Sequence, residues 1–149
     1  MTEAAVAQRY ARAIFELGIE EHQLEALTKQ VTAFANTYAA NAELGTLLEN
    51  PSVSGEQREA VLREVADRLG VHGLALNAIR LLARRRRLLV LPAIARQLVR
   101  LADEQTGVVR ATVTSAVPLS ADYVSNLEQA LASMTKRRVV LEQKHDPSL

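Results

Sequence analysis

Four consecutive arginines, Arg84-Arg85-Arg86-Arg87, are the densest concentration of chemistry-bearing side chains in this chain. A run of guanidinium groups suits phosphate, and it is one signature of nucleic-acid binding. It equally suits the end of a helix, where cations complement the negative pole of the backbone dipole. Spacing favours the second reading. Successive helix residues are rotated by about 100°, so four in a row point around most of the circumference. No aromatic residues interleave with them for base stacking. A subset remains available for salt bridges at an interface. His22, His72 and His145 lie far apart, and none has a ligand partner at helical spacing. Each reads as a surface residue and not as a metal ligand or a base. The acid pairs Glu20-Glu21 and Asp103-Glu104 fall at predicted helix ends. No two glycines sit closer than Gly70 and Gly73, so no phosphate-cradling loop is present. Nothing resembles a nucleophile–base–acid set. The expectation is a non-catalytic chain with no cofactor and no metal.

The elements that carry these residues follow from composition and period. Of 149 residues 48% are hydrophobic, only 3% are aromatic, and tryptophan is absent. The core must therefore be built from Ala, Leu and Val, which favours close-packed helices. Lys and Arg number 18 against 17 Asp and Glu, so the net charge of +1 offers no global field to concentrate nucleic acid or anionic lipid. The absence of cysteine removes disulfides and thiolate metal sites. No apolar run approaches the roughly 18–20 residues that span a membrane. The stretch from Met1 to Arg9 lacks the basic-then-apolar layout of a secretory signal.

Apolar residues recur at spacings of three and four through the first two thirds. Ala7, Tyr10, Ile14 and Leu17 mark a first helix, which Gly18 is expected to stop. Leu24, Leu27, Val31, Phe34 and Tyr38 mark a second, too short for a coiled-coil seam and better suited to core packing. A short helix spans Glu43 to Leu48, before Asn50-Pro51. Ser54 and Gln57 have capping-box spacing ahead of Val61, Leu62, Val65 and Leu69, and Gly70 stands where a left-handed residue ends a helix. Leu74, Ala78, Leu81 and Leu82 give the fifth helix. After a break at Leu88 to Val90, Pro92 suits a first helical turn, and Leu91, Ile94, Leu98 and Leu101 give the sixth. From Gly107 the period becomes two. Val109, Ala111, Val113, Ser115 and Val117 form the drier face of a strand that ends at Pro118. Ser120 can cap a helix bearing Val124, Leu127, Leu131 and Met134, and Arg138 to Glu142 reads as a second strand. The expected architecture is mainly α. A six-helix bundle over 1–105 precedes a small, apparently incomplete β-α-β unit over 106–149, which buries too little apolar surface to stand alone.

Several stretches together resemble one family. Arg9-Tyr10-Ala11-Arg12-Ala13-Ile14-Phe15 resembles the opening "RYAxAlF" of the delta subunit of rotary ATP synthases, whose mitochondrial relative is the oligomycin-sensitivity-conferring protein. Leu48-Glu49-Asn50-Pro51 with Val53 resembles that family's "L-x-N-P-x-V" turn. Asn77 through Leu82, then Arg87-Leu88 and Leu91-Pro92-Ala93-Ile94, resembles its fifth- and sixth-helix segment. Val113-Thr114-Ser115-Ala116-Val117-Pro118-Leu119-Ser120 resembles "V-t-S-A-x-P-L-S", the most specific of the four. The matches are in order and cover essentially the whole chain. Arg86 departs from the family, which usually has Gly there. Asp146-Pro147-Ser148-Leu149 resembles the start of a "D-x-S-L-I-G-G" segment that is longer in family members, so a C-terminally truncated member is expected.

The resemblance implies a stator subunit of a proton-translocating ATP synthase, peripheral on the cytoplasmic face of a bacterial plasma membrane. Such a subunit meets the membrane only through the complex and has no nucleic-acid partner. It also implies that an amphipathic N-terminal helix of an alpha subunit lies in a groove between the first and fifth helices, by helix-in-groove recognition. Tyr10, Ala13, Ile14 and Leu17 would supply one wall, and Ala78, Leu81 and Leu82 the other. For any one of these residues, burial in its own bundle is the competing role. The b-type stalk subunits belong to the C-terminal part, and truncation there implies weak stalk binding. Two other classes stand beside this one: a standalone helical adaptor for another amphipathic helix, and a nucleic-acid binder using Arg84 to Arg87.

Overall fold

The computed structural model describes residues 2–149. Met1, the first residue of the stretch without a secretory-signal layout, lies outside them. The chain divides into two compact units, Met1–Ala102 and Asp103–Leu149. The first contains helices α1 (Glu3–Glu20), α2 (Leu24–Ala40), α3 (Ala42–Glu49), α4 (Gly55–Leu69), α5 (Gly73–Arg84) and most of α6 (Leu91–Thr106), with a 3₁₀ turn over Leu88–Val90. The division falls inside the last turns of α6. The second unit holds β1 (Val108–Ser115), α7 (Ala121–Thr135) and β2 (Arg138–His145). The fold class is the expected one, mainly helical with a small β-α-β unit.

Helix α2 is the hub of the first unit, packing against α1, α3, α4 and α5. Its stripe of Leu27, Val31, Phe34 and Tyr38 is buried as the spacing predicts, and Leu24 is half-buried. The Tyr38 hydroxyl donates to the Glu49 carboxylate and joins α2 to α3. The Gln30 side-chain oxygen accepts from the His72 N–H at 2.9 Å and joins α2 to the turn before α5. Leu91, Ile94, Leu98 and Leu101 of α6 are all in the core.

Local signals act where the sequence places them. The Ser54 hydroxyl accepts from the Gln57 N–H at 3.1 Å, and the Gln57 side chain accepts from the Ser54 N–H at 3.2 Å, a complete capping box. Gly70 closes α4 at φ +71°. The Asn50-Pro51 turn is held by the Asn50 side-chain oxygen, which accepts from the Ser52 N–H at 2.9 Å.

Gly18 is a correction. It does not stop α1, which continues to Glu20; the turn is made by His22 at φ +56°. Gly18 is instead buried against α2. A Cβ there would lie 3.1 Å from both the Leu24 Cα and the Leu27 Cδ2. The glycine is required by helix–helix approach, at a helix-propensity cost of about 1 kcal/mol.

In the second unit, β1 and β2 pair in parallel, with Val109 opposite Val139 and Val113 opposite Gln143. Val109, Ala111, Val113 and Ser115 are half-buried while Arg110, Thr112 and Thr114 are exposed, as the alternation predicts, but Val117, expected on the drier face, is exposed because the strand ends at Ser115 and not at Pro118. The Ser120 hydroxyl caps α7 by accepting from the Tyr123 N–H at 3.2 Å. Val124, Leu127 and Leu131 are half-buried, but no residue of α7 is fully buried and Met134 is exposed. The second strand runs three residues beyond the expected Glu142. The Ser115 carbonyl accepts from the Asp146 N–H at 2.8 Å, and the Ala116 carbonyl meets the His145 Nε2 at 2.8 Å, which ties the Ser-Ala-Val-Pro segment to the end of β2.

Candidate functional site

The candidate groove residues separate into two sets. Ile14 is 6% exposed and Leu82 is 1% exposed, and both belong to the bundle core. They support the surface from beneath and do not line it, which corrects their placement in the groove walls. Tyr10 and Ala78 are half-buried, Ala13 is exposed, and Leu17 and Leu81 are exposed at 37% and 44%.

The phase of α5 explains the division. Its sequence is apolar at Leu74, Ala75, Leu76, Ala78, Ile79, Leu81 and Leu82, enough for two overlapping stripes. Ala75, Ile79 and Leu82 face the core. Leu74, Ala78 and Leu81 form a second stripe with spacings of four and three, which continues four residues on to Arg85. On α1, Val6, Tyr10, Ala13 and Leu17 repeat the same spacings, from a buried residue to an exposed one.

The α1 stripe and the turn that follows α5 meet at a concavity of about 330 Å³. It is lined by Val6, Arg9, Tyr10 and Ala13 of α1 and by Arg85 and Arg87 beyond the end of α5. Helices α1 and α5 both touch the intervening 3₁₀ turn, whose Leu88 and Val90 are buried and anchor the segment. The lining of the concavity thus combines apolar and cationic side chains.

The arginine run is the solvated end of a helix, as expected, but the rotation of about 100° per residue does not apply to most of it. Only Arg84 is in the helix. Arg85 to Arg87 form a turn in which Arg86 takes φ +57°. The turn sends alternate side chains to different places. Arg85 and Arg87 line the concavity beside α1. Arg86 donates to the Glu49 carbonyl at 3.4 Å and lines a separate concavity of about 250 Å³ with Leu48, Ala83, Leu88 and Leu89. Sequence reasoning missed Val6, Arg9, Arg85 and Arg87 as lining residues. The available signal was the register of Leu74, Ala78 and Leu81, which points on to Arg85.

The left-handed Arg86 also accounts for a sequence departure. A residue with side chain is strained at positive φ, where glycine is not. The resembled family usually has glycine at this position.

Asp103 and Arg110 form the principal ion pair of the second unit, with the Arg110 Nε 2.6 Å from one carboxylate oxygen and the second guanidinium nitrogen 3.1 Å from the other. The hydrogen bond to Asp103 raises the Arg110 pKa above its ordinary value, assisted by the charges of Asp103 and Glu142 against desolvation. Among the described residues no cluster of three or more His, Cys, Asp or Glu could hold a metal ion.

Comparison with known proteins agrees with this architecture. A chain of the Toxoplasma gondii mitochondrial ATP synthase hexamer has a similar fold, with a TM-score of 0.73 over 99% of this chain and 81% of that one, at 24% identity. ATP synthase subunit delta of Myxococcus xanthus is 43% identical over 151 residues, covering all of this chain and 83% of that protein. ATP synthase subunit delta of Geotalea uraniireducens is 34% identical over 149 residues, with the same coverage. The family described as ATP synthase delta (OSCP) subunit matches residues 6–149. With its helical bundle, its β-α-β unit and this match along nearly its whole length, the chain belongs to the ATP synthase delta (OSCP) subunit family.

Proposed function

We propose that this chain is a non-catalytic stator subunit of a rotary proton-translocating ATP synthase, and that its helical unit holds the N-terminal helix of an alpha subunit. The observation that carries the reading is the pair of partly exposed apolar stripes, Tyr10-Ala13-Leu17 on α1 and Ala78-Leu81 on α5, in a chain of this family. A small residue on each stripe, Ala13 and Ala78, lets a partner helix approach, and Tyr10, Leu17 and Leu81 supply anchors. Each anchor contributes about 1.5–3 kcal/mol when fully buried. Ile14 and Leu82 beneath keep the two helices rigid, so little ordering is needed on binding.

A stator must resist torque, and a rigid bundle clamping one helix transmits force without chemistry. The second unit is the part assigned to b-type stalk subunits; Val117, Tyr123 and Met134 are exposed on it. The assembled complex would lie on the cytoplasmic face of a bacterial plasma membrane. Among the described residues no helix is long and apolar enough to cross a membrane, so the chain's attachment would run through its partners.

Calorimetric titration with a peptide of the alpha N-terminus tests the reading. Saturable one-to-one binding is expected, with at least a tenfold loss in Leu81→Asp, since a charge replaces a buried anchor. Absence of binding by the folded wild-type chain would overturn it.

A further inference from the structure

We infer that the concavity between α1 and the turn after α5 is a carboxylate-reading pocket, and that the helix bound there inserts an Asp or Glu side chain between Arg85 and Arg87. The inference rests on the helix-binding reading above and names the chemistry that the site selects.

Three guanidinium groups border this concavity, from Arg9, Arg85 and Arg87, and among the described residues no acidic one lines it. Arg80, Arg68 and Arg86 are engaged elsewhere, with Glu59, Glu64 and the Glu49 carbonyl respectively. The Arg85 and Arg87 side chains have no ion-pair partner among the described residues and are both exposed. Arg85 and Arg87, two like charges lining one concavity, repel each other, and a guanidinium fork matches a carboxylate with two parallel hydrogen bonds.

The occupant is a peptide carboxylate and not a nucleic-acid phosphate for two reasons. Val6, Tyr10 and Ala13 share the concavity, and the apolar stripes lead away from it along both helices. A polyanion tracking a basic surface would meet apolar residues instead of further cations, and the chain's net charge is only +1. The volume of about 330 Å³ lies at the small end of ligand pockets and takes a side chain, not a helix. The helix lies along the stripes, and its acid reaches in.

The test compares two double variants that remove equal charge. Arg85→Gln with Arg87→Gln strips the concavity; Arg84→Gln with Arg86→Gln strips its neighbours. Each is titrated with a peptide of the alpha N-terminus, and with the same peptide carrying Asn and Gln for Asp and Glu. Circular dichroism establishes that both variants are folded. The first double variant should lose about tenfold in affinity for the acidic peptide, the second little, and the amide peptide should bind wild type and first variant alike. The difference should shrink as salt rises from about 0.01 M to about 1 M, as the Debye length falls. Equal losses in both double variants, or equal affinity of wild type for both peptides, would overturn the carboxylate pocket while leaving the helix-binding groove in place. Displacement of the peptide by duplex DNA at physiological salt would also overturn it, in favour of phosphate recognition. Failure of the acidic peptide to bind the wild-type chain at all would instead overturn the groove itself.

Discussion

The Arg80 guanidinium lies 2.5 Å from the Glu59 carboxylate, and the pair ties α5 to α4. Both side chains are more than two-thirds buried, with exposures of 29% and 28%, so water screens the pair only in part. Arg68 and Glu64 form the opposite case, an i, i+4 pair at 79% and 65% exposure. Replacing Glu59 by Gln leaves Arg80 without its counter-charge and should cost about 1–2 kcal/mol, between the values for exposed and fully buried pairs. Glu64→Gln should cost at most about 0.5 kcal/mol. Urea unfolding of the two variants checks the contrast.

Gly18 and Gly45 make a second contrast. Both lie within helices, where Ala is intrinsically better by about 1 kcal/mol. At Gly45 the nearest atom to an added Cβ is the Tyr38 ring at 3.8 Å, an ordinary contact. Gly45→Ala should therefore stabilise the chain by up to about 1 kcal/mol. At Gly18 the Cβ would press on the Leu24 backbone at 3.1 Å, which cannot rotate away. Overpacking of this kind costs about 1–3 kcal/mol, so Gly18→Ala should lower the unfolding midpoint despite its propensity. Thermal unfolding reads both signs.

Arg86 occupies the left-handed region at φ +57°. An L-residue pays about 1–2 kcal/mol there. Glycine escapes that strain but adds freedom to the unfolded chain, which offsets about 0.4–1 kcal/mol. The lost contact to the Glu49 carbonyl is long, at 3.4 Å, and exposed. Arg86→Gly should thus stabilise by about 0.5 kcal/mol. Arg86→Val should destabilise by more than 1 kcal/mol, because a β-branched residue is strained further at positive φ.

Asp146 accepts from the Ser148 hydroxyl at 2.6 Å and from its N–H at 3.0 Å. These bonds hold its pKa below the ordinary 3.8, against a small opposing desolvation. A depressed folded-state pKa means that the turn's contribution to stability is present above the unfolded value and is lost as pH falls through the folded one. Carbon-detected NMR titration should place the Asp146 midpoint below that of an exposed aspartate. In Ser148→Ala the midpoint should move back up.

Much of the fold was legible because its signals are local. The Ser54-Gln57 box, Gly70, Pro92 in the first turn of α6, the Ser120 cap and the alternation of β1 act within a few residues of themselves. What was not legible depended on distant packing. Gly18 reads as a terminator until Leu24 and Leu27 are seen against it. The apolar stripe of α5 was legible as a stripe but not in phase, since Leu74-Ala78-Leu81 and Ala75-Ile79-Leu82 compete within one helix. The contact of α2 and α4 with α5 decides which one is buried. The split of the groove residues follows directly: Tyr10, Ala13, Leu17, Ala78 and Leu81 keep exposed surface, while Ile14 and Leu82 do not. The arginine run was legible as an exposed helix end, but its side-chain directions were not, because the helix ends at Arg84 and Arg86 turns left-handed.

The most direct measurement is backbone amide NMR of the labelled chain titrated with the alpha N-terminal peptide. The account predicts shifts concentrated along Tyr10, Ala13 and Leu17 of α1, Ala78 and Leu81 of α5 and Arg85 just beyond it, with the surface around Leu47 and Val53 unaffected. Shifts centred on Leu47 and Val53, or none at saturating peptide, would contradict it.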